Sequence, residues 1–307
     1  MEITYELRRT GLGVYASLPL TQLEYDELAT ARQGLFEILA TEEKFDLVLR
    51  NFASFERVIH ESALTDLVFT PTSWSDFIEH IQVMSLALMN LLAMCRTYIE
   101  HVPHHLRAVF PEELEKIEAF QRATSHEYDS TLGYRVLYAV RNYAQHRSLP
   151  VHAITLDARW LGDPKECLHA AIPYLSLDAL ERGDFKRSLL DELQRLGPHI
   201  DIRPLVRQNM SAFGRLHGVV RDLVVSRAAA WDSQIIKWRE AFAATHGNEL
   251  VGLEIVELDV NKDVSRSHSL FDEMIKRRQY LQQKNQLLVN AEKHFISGQV
   301  CLSERDS

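Results

Sequence analysis

The sequence predicts a mainly α-helical fold: a helical bundle over residues 1–150, then a mixed, mostly helical region with a small β-sheet over residues 151–307. Two observations lead to this prediction. Before Pro150, apolar residues recur every three or four positions through long segments, which is the periodicity of helices that bury one face. After Pro150, short segments of alternating or continuous apolar residues lie between further helical ones, and such segments are typical of strands. We therefore expect a domain boundary near Pro150.

The chain begins with a segment, residues 2–18, whose short alternation predicts a strand or a hairpin. A helical pattern starts at Thr21, and Thr21 followed by Glu24 has the form of a capping box, a reciprocal hydrogen-bonding arrangement at a helix N-terminus. A second helix is predicted over Phe45–Leu67 from its own apolar stripe.

The third predicted helix is the longest of the N-terminal half. It starts at Ser73, which is followed by Asp76 at the spacing of a cap, and runs to about His101. Apolar residues cover much of its circumference, which predicts a central position in the bundle. Pro111 is compatible with the first turn of a fourth, acidic helix that runs to about Arg122.

The C-terminal half is predicted to mix both kinds of element. Strands are predicted over Val151–Leu156, Leu168–Leu177 and Leu250–Val260. Helices are predicted over Phe185–Leu196, Arg203–Val225, Ala228–Ala244 and Leu270–Ile296.

Composition narrows the functional classes. Of the 307 residues, 46% are hydrophobic and 25% charged, which is typical of a soluble globular protein. The N-terminus lacks the layout of a secretory signal, and no run of about eighteen apolar residues predicts a membrane span. The three cysteines lack CxxC spacing, so they predict neither a disulfide framework nor a zinc site. We expect a cytoplasmic protein that does not contact a membrane.

The charge distribution limits how this chain can bind nucleic acid. A net charge of −9 is the opposite of what a protein that coats nucleic acid non-specifically would carry. Residues 131–160 nevertheless hold four arginines against Asp157 alone, whereas residues 111–130 are acidic. Any contact with RNA must therefore be a local site.

That basic segment contains the most informative helix of the chain, Tyr134–Arg147. Its apolar face is formed by residues three and four apart, namely Val136, Leu137, Val140 and Ala144. Arg135, Asn142 and His146 stand at i, i+7 and i+11, which places them on a second face. Pro150 disfavours helix at Leu149, so we expect the helix to end near Arg147 or Ser148. His146 then lies in the last turn, where the helix dipole favours positive charge.

The sequence Arg141-Asn142-Tyr143-Ala144-Gln145-His146 resembles the R-x4–6-H signature of HEPN domains, including the polar residue that follows the arginine. Asn90–Ile99 is similar to the earlier inner helix of such domains. The resemblance implies a small helical bundle and a homodimer in which the motifs of two protomers face each other. It also implies a metal-independent endoribonuclease without a cofactor, as in toxin and antiphage defence, with an antitoxin or regulatory protein as a possible partner.

The resemblance implies a role for each residue of the motif. Arg141 would bind the scissile phosphate, His146 would transfer protons, and Asn142 would orient His146. Further RNA contacts are expected from Arg135, Tyr143 and Arg147. In the toxins of HEPN/nucleotidyltransferase pairs a tyrosine commonly stands two places after the histidine, where this chain has Ser148, so control through that tyrosine is not expected.

Two other interpretations stay open. One is a catalytically silent HEPN-like module that binds RNA, a nucleotide or a protein, and the other is a helical scaffold without a ligand.

The histidine cluster His101, His104 and His105, near Cys95, is split by Pro103 and has no carboxylate at a recognised metal spacing. We predict no metal site there.

Overall fold

The computed structural model describes residues 3–10, 16–69, 73–160, 167–183, 185–294 and 296. The predicted mainly α-helical fold with small β-sheets is confirmed. The helices are α1 (Gln22–Val68), α2 (Trp74–Val109), α3 (Leu114–Ser130), α4 (Leu132–His146), α5 (Leu177–Glu181), α6 (Arg187–Gln194), α7 (Ile202–His246) and α8 (Glu273–Lys284). The strands are β1 (Thr4–Arg9), β2 (Ser17–Leu20), β3 (Ala153–Trp160), β4 (Cys167–Ser176), β5 (His199–Asp201), β6 (Leu253–Leu258) and β7 (Val264–Ser269).

The described residues form two compact units, each built from separate stretches of chain. The first unit draws on Met1–Leu47, Tyr98–Gln121 and Val219–Gln286, and the second on Val48–Thr97, Arg122–Gly218 and Leu287–Ser307. Helices α1, α2, α3 and α7 each contribute a segment to both units. The predicted division at Pro150 does not coincide with these units, because long continuous helices carry sequence from both halves into each of them.

The first unit contains a four-stranded antiparallel sheet in the order β2-β1-β6-β7. The hairpin predicted near the N-terminus is present as β1 and β2, and residues 11–15 between them lie outside the described residues. The strand predicted over Leu250–Val260 is present as β6, whose buried residues pack inward. β7 was not predicted, because its sequence is polar and mostly exposed.

The second unit contains the segment that resembles the HEPN motif. Its three-stranded antiparallel sheet has the order β3-β4-β5, and α4, α5 and α6 belong to the same unit. The core includes fully or almost fully buried residues of α2, α4 and α7: Met84, Leu88, Leu91, Val136, Leu137, Val140, Val206 and Met210. One face of α2, with Met84, Leu88 and Leu91, is therefore core, whereas Val83 and Leu86 are 45% and 61% exposed.

Both predicted helix caps are present. Thr21 N donates to Glu24 Oε2 at 2.8 Å and Glu24 N donates to Thr21 Oγ1 at 3.2 Å, which is the reciprocal pair of a capping box. Ser73 and Asp76 exchange the same two bonds, at 3.0 and 3.2 Å. These short-range signals identify the starts of α1 and α2.

Helices α1 and α7 are longer than predicted, because no helix-breaking residue lies between the two segments predicted for each of them. The two helices predicted before Pro71 are one continuous α1, and the two predicted over Arg203–Val225 and Ala228–Ala244 are one continuous α7. Neither junction contains glycine or proline, so nothing in the backbone ends the helix there. α8 ends at Lys284 rather than near Ile296.

Helix α2 passes through Pro103 and continues to Val109, beyond its predicted end. Proline removes one helical hydrogen bond and costs about 3 kcal/mol. Tyr98, Val102 and Leu106, on either side of it, are at most 1% exposed, and their burial offsets that cost. Pro111 lies in a turn, and α3 begins at Leu114 and ends at Ser130 rather than near Arg122.

Among the described residues, α2 is the one helix long and apolar enough to cross a membrane by length and composition. Its most apolar window has a mean hydropathy of 1.4. A core helix of a globular protein passes the same test, and the buried face of α2 lies in the core described above.

Candidate functional site

Helix α4 is held against α7 by close backbone contact and by an aromatic pair. A Cβ atom at Gly133 would lie 2.3 Å from the carbonyl oxygen of Leu205, so only glycine permits this approach. Gly133 N donates to the side chain of Gln208 at 3.0 Å. At the next residue, the ring of Tyr134 packs on Phe213 with 5.8 Å between centroids. The predicted apolar face of α4 is therefore turned to the core.

The C-terminal end of α4 is anchored to the sheet of the second unit through Tyr143 and His152. Ser176 N donates to His152 Nδ1 at 3.0 Å, so the ring proton is on Nε2, which lies 3.2 Å from the hydroxyl of Tyr143. Burial lowers the pKa of His152 below its usual value of 6.5. His152 is thus a neutral histidine that links α4 to the end of β4.

Tyr143 was predicted to contact RNA, but the structure places it half-buried in this anchor. Its ring packs edge-on to His152 and Phe185, at centroid distances of 5.3 and 6.1 Å. Gly183 lies directly against the ring, because a Cβ there would be 2.6 Å from it. Tyr143 therefore holds the end of α4 in position.

Arg135, also predicted to contact RNA, has its guanidinium engaged within the protein. It donates to the carbonyl oxygens of Tyr128 and Asp129, at 3.2 and 2.6 Å, and forms an ion pair with Glu192 at 2.7 Å. The two carbonyls belong to the last turn of α3, where backbone acceptors have no helical partner. Arg135 therefore caps α3.

The remaining motif residues lie on the outer side of the last turns of α4. Asn142, His146 and Arg147 are exposed and Arg141 is half-buried, and α4 ends at His146 with Arg147 as its C-cap, as predicted. Arg141 Nη1 donates to Asn142 Oδ1 at 3.1 Å, while Arg141 Nε is buried. Within the described residues, the His146 side chain makes no hydrogen bond or ion pair. Asn142 thus pairs with Arg141, and the described residues show no hydrogen bond between Asn142 and His146.

This arrangement places a permanent cation and an imidazole on neighbouring turns of an accessible helix end. A guanidinium is suited to a phosphate oxygen, and an imidazole can accept or donate a proton near neutral pH. One protomer presents a single such imidazole here. The described residues contain no group of three or more His, Cys, Asp or Glu side chains placed to hold a metal ion.

His105 and Cys95, two residues of the histidine cluster and its surroundings, make separate contacts within the protein. His105 Nδ1 lies 2.7 Å from Glu37 Oε2, and burial lowers the pKa of His105. Cys95 is buried, accepts a hydrogen bond from Asn209 at 3.7 Å, and has its pKa raised by burial to about 12. A thiol in this state is a poor metal ligand.

The residue that sequence reasoning missed is Tyr138, which is 42% exposed on α4. Tyr138, Asn142 and His146 follow one another at intervals of four and form an exposed row, which we call the α4 row. The spacing of four residues places Tyr138 on the same face as Asn142 and His146 already in the sequence. The sequence alone does not show that this tyrosine is exposed, because tyrosine occurs on buried faces as well as on exposed ones. Arg96 of α2 lies over its ring, 5.7 Å from the centroid.

A separate groove of about 420 Å³ lies between the C-terminal turns of α1 and the first turns of α2. It is lined by Val58, Glu61, Ser62, Thr65, Phe69, Asp76, Glu79, His80 and Val83. His80 Nδ1 lies 3.0 Å from the hydroxyl of the buried Ser62. Three carboxylates against one histidine make this groove unsuited to RNA, so it is not the candidate site.

No protein-family model, curated protein or solved structure matches this chain. The likeness to HEPN domains is carried by the segment Arg141–His146 and by its place at the exposed end of α4.

Proposed function

We propose that this protein is a metal-independent endoribonuclease of HEPN type that acts as a homodimer. The observation that carries the proposal is the end of α4, where Arg141, Asn142 and His146 lie in the last two turns and Arg141 donates a hydrogen bond to Asn142. Enzymes place reactive side chains on rigid elements so that their geometry is fixed before the substrate binds. The proposed setting is toxin or antiphage defence, as for many HEPN proteins.

The proposed reaction is internal transesterification of RNA. A base removes the proton of a ribose 2′-OH, the oxygen attacks the adjacent phosphorus, and the bond to the 5′-oxygen breaks. An acid gives that leaving oxygen a proton, so the products are a 2′,3′-cyclic phosphate and a 5′-hydroxyl. Arg141 would bind the scissile phosphate and stabilise the charge of the phosphorane.

The homodimer is proposed because one protomer supplies one His146. A two-fold axis would bring a second copy to the same cleft, so that one imidazole acts as base and the other as acid. The partner protomer would also supply the environment that orients each His146, which makes no hydrogen bond to Asn142 within the described part of one chain.

The structure leads us to assign different roles to the supporting residues. Asn142 would hold Arg141 in position through the 3.1 Å hydrogen bond, and Arg147 would contact RNA. Tyr143 and Arg135 would position the end and the start of α4.

The proposal is tested by the requirements and products of cleavage. We expect purified protein to cleave single-stranded RNA in EDTA and to leave 2′,3′-cyclic phosphate and 5′-hydroxyl ends, as read by end-specific labelling. Sedimentation over a range of concentrations should show a dimer at concentrations at which cleavage occurs. Cleavage that stops with chelator and returns with zinc or manganese would refute the metal-independent mechanism, and a monomer that cleaves would refute the two-copy site.

One observation favours a second candidate, a catalytically silent RNA-binding module. A general acid or base is usually oriented by a second group, and no side chain within the described part of this chain orients His146. A dimer that binds RNA through Arg141 without any cleavage would identify this second function.

A further inference from the structure

The α4 row continues beyond the motif into a cluster of aromatic and basic side chains. The rings of Tyr138 and Tyr128 lie edge to face, with 5.9 Å between centroids and an interplanar angle of 89°. Arg96 lies over Tyr138, and Lys186 Nζ lies 5.9 Å from the centre of the Tyr128 ring. These four side chains come from α4, α3, α2 and the residue preceding α6, so four separate segments converge here.

The exposure of this cluster is not explained by packing. Tyr138 keeps 42% of its surface accessible, although its helix buries Leu137 on one side and half-buries Ala139 on the other. Proteins that bind single-stranded nucleic acid combine aromatic faces, on which bases stack, with cations that follow the backbone. Both parts of that chemistry are present in one small area.

Two of the nearby carboxylates are already paired with arginines outside the cluster. Glu192 is paired with Arg135, and Glu127 with Arg215. Asp129 is an exposed carboxylate close in sequence to Tyr128. Lys186 and Arg141 form no ion pair with a carboxylate among the described residues.

The geometry points to a stacking platform for single-stranded RNA, formed by Tyr138 and Tyr128 with Arg96 and Lys186, which we infer guides the strand towards His146. Tyr138 and His146 are eight residues apart on one helix, which is about 12 Å along its axis. A strand whose base stacks on Tyr138 would thus carry its backbone along the α4 row. The guiding role depends on the proposed ribonuclease function, whereas binding at the platform does not.

Single strands are expected because stacking on a tyrosine ring requires an unpaired base. A ring can stack on a base only when the base is splayed out, and bases in a duplex are already stacked. Binding should therefore favour single-stranded RNA over the same sequence in a duplex.

The test measures binding separately from cleavage, with a fluorescent, fully 2′-O-methylated RNA that has no attacking hydroxyl. By anisotropy, Tyr138→Ala should bind roughly 5- to 150-fold more weakly than the wild type, the loss of one stacked base. Tyr138→Phe should bind nearly as well as the wild type, because it keeps the aromatic face. Lys186→Gln should lower the slope of binding against salt by about one.

Tyr280 provides a matched control in the other unit. It is an exposed helical tyrosine with Arg277 over its ring at 5.6 Å, so it repeats the tyrosine–arginine pair outside the cluster. Tyr280→Ala should bind like the wild type, and circular dichroism should show native helix content in all variants. An equal loss in both alanine variants, or none in Tyr138→Ala, would overturn the platform.

Two further outcomes separate the platform from the nuclease. Wild-type protein that binds the methylated strand through Tyr138 but cleaves no RNA would keep the platform and refute the nuclease. Cleavage by a protein that is indifferent to Tyr138 would refute the platform and keep the nuclease. Tighter binding of duplex or of single-stranded DNA than of single-stranded RNA would also refute the platform as proposed.

Discussion

Arg207 and Arg215 on α7 and Arg141 on α4 belong to the same unit but lie in opposite environments. Arg207 makes two bonds of 2.8 Å to the carboxylate of Glu56, which is 4% exposed. Arg215 does the same with the buried Glu127, at 2.7 and 2.6 Å. Arg141, at the end of α4, donates to Asn142 and meets no carboxylate in the described chain. An arginine whose guanidinium lies beside a buried carboxylate stabilises the fold. An arginine without such a carboxylate keeps its guanidinium available for a phosphate.

The α7 arginines also hold the C-terminal segment. Arg207 Nη1 donates to the carbonyl oxygen of His294 at 3.3 Å, and Arg215 Nη1 to that of Val289 at 3.2 Å. Between them, Ser211 Oγ accepts from Ala291 N at 2.8 Å. These bonds are the physical reason why α8 does not extend to Ile296, since the chain after Lys284 pairs with α7.

The comparison predicts that the largest effect on activity comes from Arg141 and His146 at the end of α4. His146→Ala should slow single-turnover RNA cleavage by roughly 10²- to 10⁴-fold, because it removes general acid–base catalysis. Arg141→Ala should also impair cleavage, and the double variant should lose little more than the worse single one, since the residues act as a unit. Melting temperatures should stay near that of the wild type. A fully active His146→Ala protein would end the ribonuclease assignment.

The largest effect on stability should come from α7. Arg207→Ala leaves the Glu56 carboxylate buried without its partner, and we expect a loss of about 3–5 kcal/mol in the free energy of unfolding, measured with urea. Arg141→Ala is the matched control, and its change should stay within about 0.5 kcal/mol. Equal losses in the two variants would show that the two arginines do not differ as described.

Asn142→Ala should have a smaller effect and separates two roles. If Asn142 holds Arg141, which binds the scissile phosphate, losing this hydrogen bond should cost about 1 kcal/mol, roughly fivefold, in kcat/KM, and KM should rise. The KM and kcat of cleavage over a range of RNA concentrations are the measurement. A lower kcat with an unchanged KM would instead show that Asn142 orients His146 in the dimer.

The smallest predicted effect concerns the anchor of α4. Burial lowers the pKa of His152, so the unfolded chain binds the proton more readily than the folded one. The contribution of His152 to stability is therefore complete above pH 6.5 and is lost as pH falls from there to its folded pKa. Urea unfolding at several pH values between 7.5 and 5 should show a steeper decline for the wild type than for His152→Gln. Parallel curves would contradict a neutral His152.

The part of the site that could be predicted is local. The span of α4, its apolar face and its end near Arg147 follow from spacing and from Pro150, and the structure agrees. The roles of Arg135 and Tyr143 could not be predicted, because Glu192 and His152 reach them from other elements. The spacing of Tyr138 from Asn142 and His146 could be predicted, but the nearby cations Arg96 and Lys186 could not, because they come from other elements of the fold.

The sequence by itself determined the helical class, both helix caps and the exposed end of α4, since these depend on interactions between residues within a few positions. Tertiary structure decided that each compact unit combines sequence from both sides of Pro150. It also decided which arginines are paired: Arg207 and Glu56 are 151 residues apart, and Arg215 and Glu127 are 88 apart. No local pattern encodes such pairs, because burial of the carboxylate depends on how distant helices pack.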